Sequence, residues 1–285
     1  MRILVLGITG MLGNAIFRFL SEDKQHQVYG TARNNSNLLT CFHEKNKQKI
    51  IKNVDVLNYD LLTDILAQVN PDVVINCVGI VKQLSISNNP LYTVPINTLL
   101  PHRLAILCQV SRARLVHIST DCVFSGKQGG YTEDDFPDAA DLYGRSKLLG
   151  EVDYLNAITL RTSIIGHEIV GNKSLVNWFL HQNQAVNGFR RAIFSGLPAV
   201  ELARVINKHV LPNDDLHGLY HVASEPISKY SLLCLISEVY KKNINITPSD
   251  EFVIDRSLNS DKFKNATNYA PPKWIDLVKS MHYFK

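Results

Sequence analysis

The chain has 285 residues, 45% of them hydrophobic, and a formal charge of +4. That is enough apolar material to bury the core of one large α/β domain with a smaller lobe appended, and too much for a chain that is mainly disordered. The charge excess is small, and no Lys/Arg-rich run or aromatic-interleaved basic stripe is present. Nucleic-acid binding is therefore not indicated, and no apolar stretch approaches membrane length.

The five cysteines, Cys41, Cys77, Cys108, Cys122 and Cys234, are scattered and never spaced C-x-x-C. That pattern predicts buried reduced thiols, with neither a disulfide framework nor a zinc site, and no other metal-ligand motif stands out. At the start, Met1-Arg2 leads into Ile3–Leu6, too short a run for a signal segment and cut off by Gly7. A cytoplasmic location is the expectation.

Strand-like apolar runs are predicted at 2–6, 27–32, 49–54, 72–76, 114–119 and 157–162. Helix-like segments are predicted between them at 11–22, 58–69, 91–111 and 141–155. This alternation is the pattern of a parallel sheet covered on both faces and joined by right-handed crossovers, a Rossmann-type doubly wound α/β fold. Past residue 165 the alternation weakens and the chain becomes loop-rich, with helices expected near 174–183, 199–210, 229–240 and 272–284 and a strand near 218–222. We expect a dinucleotide-binding domain over 1–165, completed by parts of 192–222, and a smaller substrate-binding lobe made mainly of 166–285.

Directly after the first strand stands Gly7-Ile-Thr9-Gly10-Met11-Leu12-Gly13, followed by a helix. Glycines let the backbone turn tightly there and approach a pyrophosphate, which rests on the partly positive helix N-terminus. Three glycines alone are a weak signal, but their place between strand one and helix one makes this loop a dinucleotide cradle. Strand two ends in Val28-Tyr-Gly-Thr-Ala-Arg33 without a carboxylate to bind a ribose 2′-hydroxyl. Arg33 favours a 2′-phosphate, hence NADPH, with NADH as the alternative. Asp55 and Val56, after strand three, stand where the adenine would lie.

The candidate reaction centre is Tyr143-Gly-Arg-Ser-Lys147, whose i,i+4 spacing puts a phenol and an ammonium on one helix face. A free tyrosine titrates near 10, too high for a good proton donor, and a nearby cation is expected to lower it by about 1–3 pH units. Tyr269-Ala-Pro-Pro-Lys273 has the same spacing, but its prolines forbid the helix that would align the two groups. Ser119-Thr120 ends the strand preceding Tyr143, where a hydroxyl can hydrogen-bond the same substrate oxygen.

Taken in order, His117-Ile-Ser-Thr120-Asp121-Cys-Val-Phe124, Tyr131-Thr-Glu133-Asp and Tyr143-Gly-Arg-Ser-Lys147-Leu-Leu-Gly150-Glu151 resemble the dTDP-4-dehydrorhamnose reductase family. The resemblance implies an NAD(P)H-dependent reductase of a nucleotide-activated 4-keto-6-deoxyhexose serving surface polysaccharide synthesis. Thr120, Tyr143 and Lys147 would form its catalytic set. It implies Asn97 as a helix residue supporting the lysine, and Cys77-Val78-Gly79 as the small-residue loop under the nicotinamide ribose. Lys82 and Gln83 depart from the usual pattern there and are candidate substrate contacts, together with Asp121. In the second lobe the resemblance points to Arg190, Arg191 and Arg256 as the grip on the substrate diphosphate, a task for which the planar guanidinium fork is suited.

Two other readings stay open. One is a reductase or epimerase of a UDP-linked 2-acetamido-4-keto sugar. The other, from a different class, is a non-catalytic regulatory subunit, because that of methionine adenosyltransferase also resembles this family. A homodimer is among the assemblies left open.

Overall fold

A computed structural model describes residues 1–33 and 42–285. Six strands, β1 (Arg2–Leu6), β2 (Gln27–Thr31), β3 (Ile50–Ile51), β4 (Val73–Asn76), β5 (Arg114–Thr120) and β6 (Ala157–Thr162), join a seventh, Gly218–His221, in one sheet. From one edge the order is Gly218–His221, β6, β5, β4, β1, β2, β3, and every pairing is parallel. The chain steps outward from β1 to β3, returns to β4 beside β1, and continues the other way. This is the doubly wound topology expected from the alternation, and its ligands bind at the carboxyl ends of the strands near the switch point.

Both faces of the sheet are buried, which is why β1 and β4 read as continuous apolar runs and not as alternating ones. On one face Ile3, Val5, Val73, Ile75 and Ile158 pack with the helices Met11–Glu22 and Ala199–Val205. On the other, Leu4, Leu6, Val74 and Leu115 pack with the helices Tyr59–Val69 and Leu100–Val110.

Several elements depart from the sequence-based ranges. The predicted strand 49–54 closes after Ile51, because Asn53 adopts a left-handed φ of 60°. The single helix expected over 91–111 has three parts, Pro90–Thr93, a wider helical turn Val94–Leu99, and Leu100–Val110. Pro95 and Pro101 lack the N–H groups that a regular ladder needs, and the backbone widens between them. The helix expected over 141–155 ends at Leu149. There Gly150 lies so close to the wide turn that an added Cβ would stand 1.9 Å from the Asn97 carbonyl oxygen.

The second lobe is assembled from short pieces. Val186–Phe189 pairs with Ile246–Ser249, and Ala192–Phe194 pairs with both Ile227–Ser228 and Ile254–Asp255. Val176, Phe179, Phe194, Leu232, Ile236 and Met281 form its core. A helix at Asp261–Thr267, absent from the sequence-based reading, packs instead on the sheet's edge strand Gly218–His221, with Phe263 in the sheet-side core. The lobe is stitched to the sheet through the loop after β5: Tyr131 N–H donates to the Ser257 carbonyl (2.9 Å), and Asp255 N–H to the Gly126 carbonyl (2.8 Å).

Candidate active site

The glycine loop is built as a backbone cradle. Gly7 has φ +84°, and a Cβ on Gly13 would fall 2.2 Å from the Gly7 carbonyl oxygen, so the first helix can approach the turn only with glycine at both places. Thr31 secures the loop from β2: its Oγ1 accepts from the Gly7 N–H (3.3 Å) and its carbonyl from the Ile8 N–H (3.1 Å). Helix Met11–Glu22 starts at Gly10 with no side-chain cap. Its first N–H groups are thereby left for an anion beside Thr9, Gly10, Met11 and Leu12. A dinucleotide fits this cradle, and Val78 packs directly against it, its Cγ2 2.9 Å from where a Cβ on Gly7 would stand.

Arg33 is exposed just past β2, and residues 34–41, Cys41 among them, lie outside the described part. Asp55 is exposed and its Oδ1 accepts from the Leu57 N–H (3.0 Å), so it closes a turn beside the buried Val56. The cysteines Cys77, Cys108, Cys122 and Cys234 are free thiols, but only Cys108 is fully buried.

At the carboxyl end of β5, Thr120, Asp121, Tyr143 and Lys147 converge. Tyr143 and Lys147 lie on the helix Leu142–Leu149, whose N-terminus is capped by Asp141 accepting from the Gly144 N–H (2.8 Å). Gly144 permits this packing, since a Cβ would stand 2.3 Å from the Cys122 carbonyl oxygen. The Tyr143 phenol faces Thr120, whose hydroxyl donates to Asp121 Oδ1 (3.1 Å) and accepts from the Cys122 N–H (3.2 Å). Lys147, only 6% exposed, donates to the Ile118 carbonyl at 2.7 Å.

The electrostatics differ from the expected pattern. Burial lowers Lys147 to about 8, against the opposing pull of Glu151 and Cys77. Burial, with Cys122 and the carboxylates Asp121 and Asp141, pushes the Tyr143 phenol up, although Thr120 acts the other way. The expectation that Lys147 pulls the phenol down is therefore corrected: in this arrangement the ammonium is itself destabilised and turned onto a carbonyl of β5. Burial likewise raises Asp121, opposed by Arg256 and by hydrogen bonds from Cys122, Thr120 and Ser163.

Asn97 acts on the Tyr/Lys helix from the wide turn. It is 1% exposed; its Oδ1 accepts from the Ile80 N–H (2.8 Å), while Nδ2 donates to the Ile80 carbonyl (3.0 Å) and to Ser146 Oγ (3.2 Å). It clamps the turn after β4 to the Tyr/Lys helix and reaches the residue before the lysine, not the lysine itself. Tyr269 donates to Glu201 in the interior (3.2 Å), away from the exposed Lys273, so the second Tyr-x-x-x-Lys spacing forms no pair.

From the second lobe only one of the three arginines reaches this centre. Arg256 Nε donates to the Phe124 carbonyl (2.8 Å), and its Nη1 lies 3.7 Å from Cys122 Sγ. Arg190 is 54% exposed and forks onto Asp250, with Nε to Oδ1 at 2.9 Å and a second contact through Nη2. Arg191 is exposed at the same turn. Pairing of the strands 186–189 and 246–249 carries these two to the lobe's surface. Lys82 pairs with Asp141 (2.7 Å) at the edge of the site, and Gln83 is exposed beside it.

Lys229, which the motifs did not single out, is brought in by the start of the helix Lys229–Tyr240. It is half-buried near Asp121, Cys122 and Arg256, and desolvation there lowers it. Nothing local in Ser228-Lys229-Tyr230 announces this; the position follows from where the helix docks.

A parallel sheet with a glycine cradle at β1 and a Thr/Tyr/Lys cluster at β5 defines an oxidoreductase of the nicotinamide-dinucleotide-binding α/β class. Residues 1–282 match the family model described as the RmlD substrate binding domain, and the chain belongs to that family. It is 27% identical to the solved structure of a hypothetical dTDP-4-dehydrorhamnose reductase from Sulfolobus tokodaii (TM-score 0.76, 96% of this chain and 98% of that one). It shares its fold with dTDP-4-dehydrorhamnose reductase from Bacillus anthracis str. Ames in complex with NADP (TM-score 0.80, 21% identity, 100% and 98%). Among curated proteins, methionine adenosyltransferase 2 subunit beta of Danio rerio is 24% identical over 253 residues, covering 84% of this chain and 74% of that protein.

Proposed function

We propose that the protein reduces the 4-keto group of a nucleotide-linked 4-keto-6-deoxyhexose, with NADPH preferred over NADH, yielding an activated deoxysugar for surface polysaccharide. The observation that carries this reading is the Tyr143 phenol, set beside Thr120 at the end of β5 and one helical turn from the buried Lys147.

The Gly7–Gly13 loop, Val78, Gly79 and Lys147 would hold the dinucleotide, with Arg33 beside its 2′-phosphate and Asp55 and Val56 near its adenine. Bound there, the nicotinamide supplies the hydride. Thr120 hydrogen-bonds the substrate carbonyl oxygen, and Tyr143 gives that oxygen its proton. Burial raises the phenol and favours its protonated form before the reaction, and Lys147 is the cation available to the phenolate afterwards. Lys229 and Arg256 come from the second lobe to meet Asp121 at the end of β5, where two cations beside one carboxylate suit an anionic nucleotide sugar. In this reading residues 1–165 hold the cofactor and the lobe made mainly of 166–285 holds the sugar nucleotide. No helix among the described residues is long and apolar enough to cross a membrane.

The test is loss of reduced-nicotinamide absorbance across a panel of dTDP- and UDP-linked 4-keto sugars. Stoichiometric oxidation with a 4-keto-6-deoxyhexose supports the reading, and oxidation confined to 2-acetamido-4-keto sugars moves the substrate class. An epimerase would turn over its sugar with no net cofactor consumption. The likeness to methionine adenosyltransferase 2 subunit beta favours a second reading, a regulatory subunit. A stable complex with a synthetase and no oxidation with any sugar would establish that role instead.

A further inference from the structure

His117 lies on β5 next to Ile118, whose carbonyl receives the Lys147 amine, and its imidazole is wholly buried. Both ring nitrogens have a defined neighbour. The Val78 N–H donates to Asn76 Oδ1 (3.1 Å), which fixes the orientation of that amide and turns Nδ2 toward His117 Nδ1 at 3.2 Å. An amide nitrogen donates, so Nδ1 accepts; in a neutral ring the proton then sits on Nε2. The ring is neutral because burial, with Lys147 and His102 nearby, holds it well below the usual histidine range. Nε2 stands 3.5 Å from Lys147 Nζ. The histidine thus points an N–H at a group that, as an ammonium, has only donors of its own, whereas a neutral amine accepts from it.

We propose that His117 is a positioning residue for Lys147: held by Asn76 in its Nε2–H tautomer, it sets how readily that lysine gives up its proton. This rests on the reading of Lys147 as the cation that serves Tyr143, and it adds the group that governs the cation's charge. Because Asn76 also grips the Val78 N–H, the same relay ties the lysine to the backbone beside the dinucleotide cradle. Other titratable groups face the pair from each neighbouring element. Cys77 comes from the turn after β4, Glu151 from beyond the Tyr/Lys helix, His102 from Leu100–Val110, and Tyr143 from one turn away. Burial pushes the Cys77 thiol up to about 12, so it stays protonated, and the Glu151 carboxylate is already held by Arg161 Nε (2.9 Å) and Ser119 Oγ (2.6 Å). His117 is the neighbour whose hydrogen-bonding sense can be reversed by one substitution.

Asn76→Asp makes that reversal. A carboxylate accepts, so the ring proton moves to Nδ1 and Nε2 becomes an acceptor for the ammonium; His117→Gln offers an amide oxygen at about the same place. Each variant is expected to raise the Lys147 pKa by about one pH unit or more. The full chain, labelled with 13C and 15N, is titrated by NMR: the Lys147 ε-carbon, identified by its loss in Lys147→Arg, reports the lysine, and the ring nitrogens of His117 report the tautomer. Wild type should show Nε2–H, and Asn76→Asp should show Nδ1–H with the lysine titrating higher. A charge needed for turnover is lost as pH rises through the lysine's pKa, so the basic limb of kcat/KM should move to higher pH in the variants. An Nδ1–H ring in the wild-type protein overturns the proposal even if neither variant folds. An unchanged lysine titration in folded Asn76→Asp also overturns it. Both NMR readouts are made without turnover, so a failed reductase assay and a failed relay are told apart.

Discussion

On the sheet side of the site, each functional group hangs from an element fixed by several bonds. Tyr143 and Lys147 share a helix capped by Asp141, clamped by Asn97 through Ser146, and stopped by Gly150 against the wide turn. On the lobe side, Arg256 follows a two-residue strand and Lys229 opens a helix, so their places depend on how short segments from distant parts of the chain dock. The first wall is suited to chemistry, which tolerates little misplacement. The second is suited to recognition, where a flexible cation adapts to the ligand. Substitutions should accordingly act on turnover from the sheet side and on binding from the lobe side.

The largest effect is expected from Tyr143→Phe, which removes one oxygen from the sheet-side wall. Turnover should fall by about 10² or more with the thermal melt near that of wild type, since general acid catalysis contributes about 10²–10⁴. Arg256→Ala on the lobe side should act on KM instead, raising it by roughly ten- to a hundredfold. That corresponds to about 1.5–3 kcal/mol for a charge-assisted contact, and kcat should change little if the contact is equal in ground and transition states. A matching fall in kcat would erase the division between the walls. Smaller again is Arg33→Ala, measured by fluorescence titration: NADPH should weaken by roughly tenfold while NADH stays level. Equal losses for both would end the assignment of Arg33 to the 2′-phosphate. Arg190→Ala should change KM by roughly twofold at most, because an exposed pair with Asp250 contributes little and faces solvent.

The same contrast explains how much could be read from the chain. The parallel sheet follows from apolar runs alternating with helical periods, and the glycine loop is legible because its place after β1 gives a weak pattern meaning. Tyr143 is separable from Tyr269 through local chemistry alone, since two prolines forbid a helix from Tyr269 to Lys273 and none stands between Tyr143 and Lys147. Local chemistry fails where pairing across long stretches decides. Arg190 meets a carboxylate 60 residues later, and Lys229 arrives through the docking of a helix. His117 is visible within the β5 motif, but its partner Asn76 lies 41 residues away on the neighbouring strand. The direction of the Tyr143 shift is illegible for a related reason: spacing places Lys147 near the phenol, while burial, which spacing does not reveal, controls both groups.

The most direct test of the central claim is transfer of label from NADPH carrying deuterium at both C4 positions of the nicotinamide, offered with a nucleotide-linked 4-keto-6-deoxyhexose to wild type and Tyr143→Phe. The account predicts one deuterium on the sugar's C4 per cofactor oxidised by the wild-type protein. It predicts the same product, formed at least about a hundredfold more slowly, by the variant. Equal rates of deuterium transfer in the two proteins, or cofactor oxidised without deuterium reaching that carbon, would contradict it.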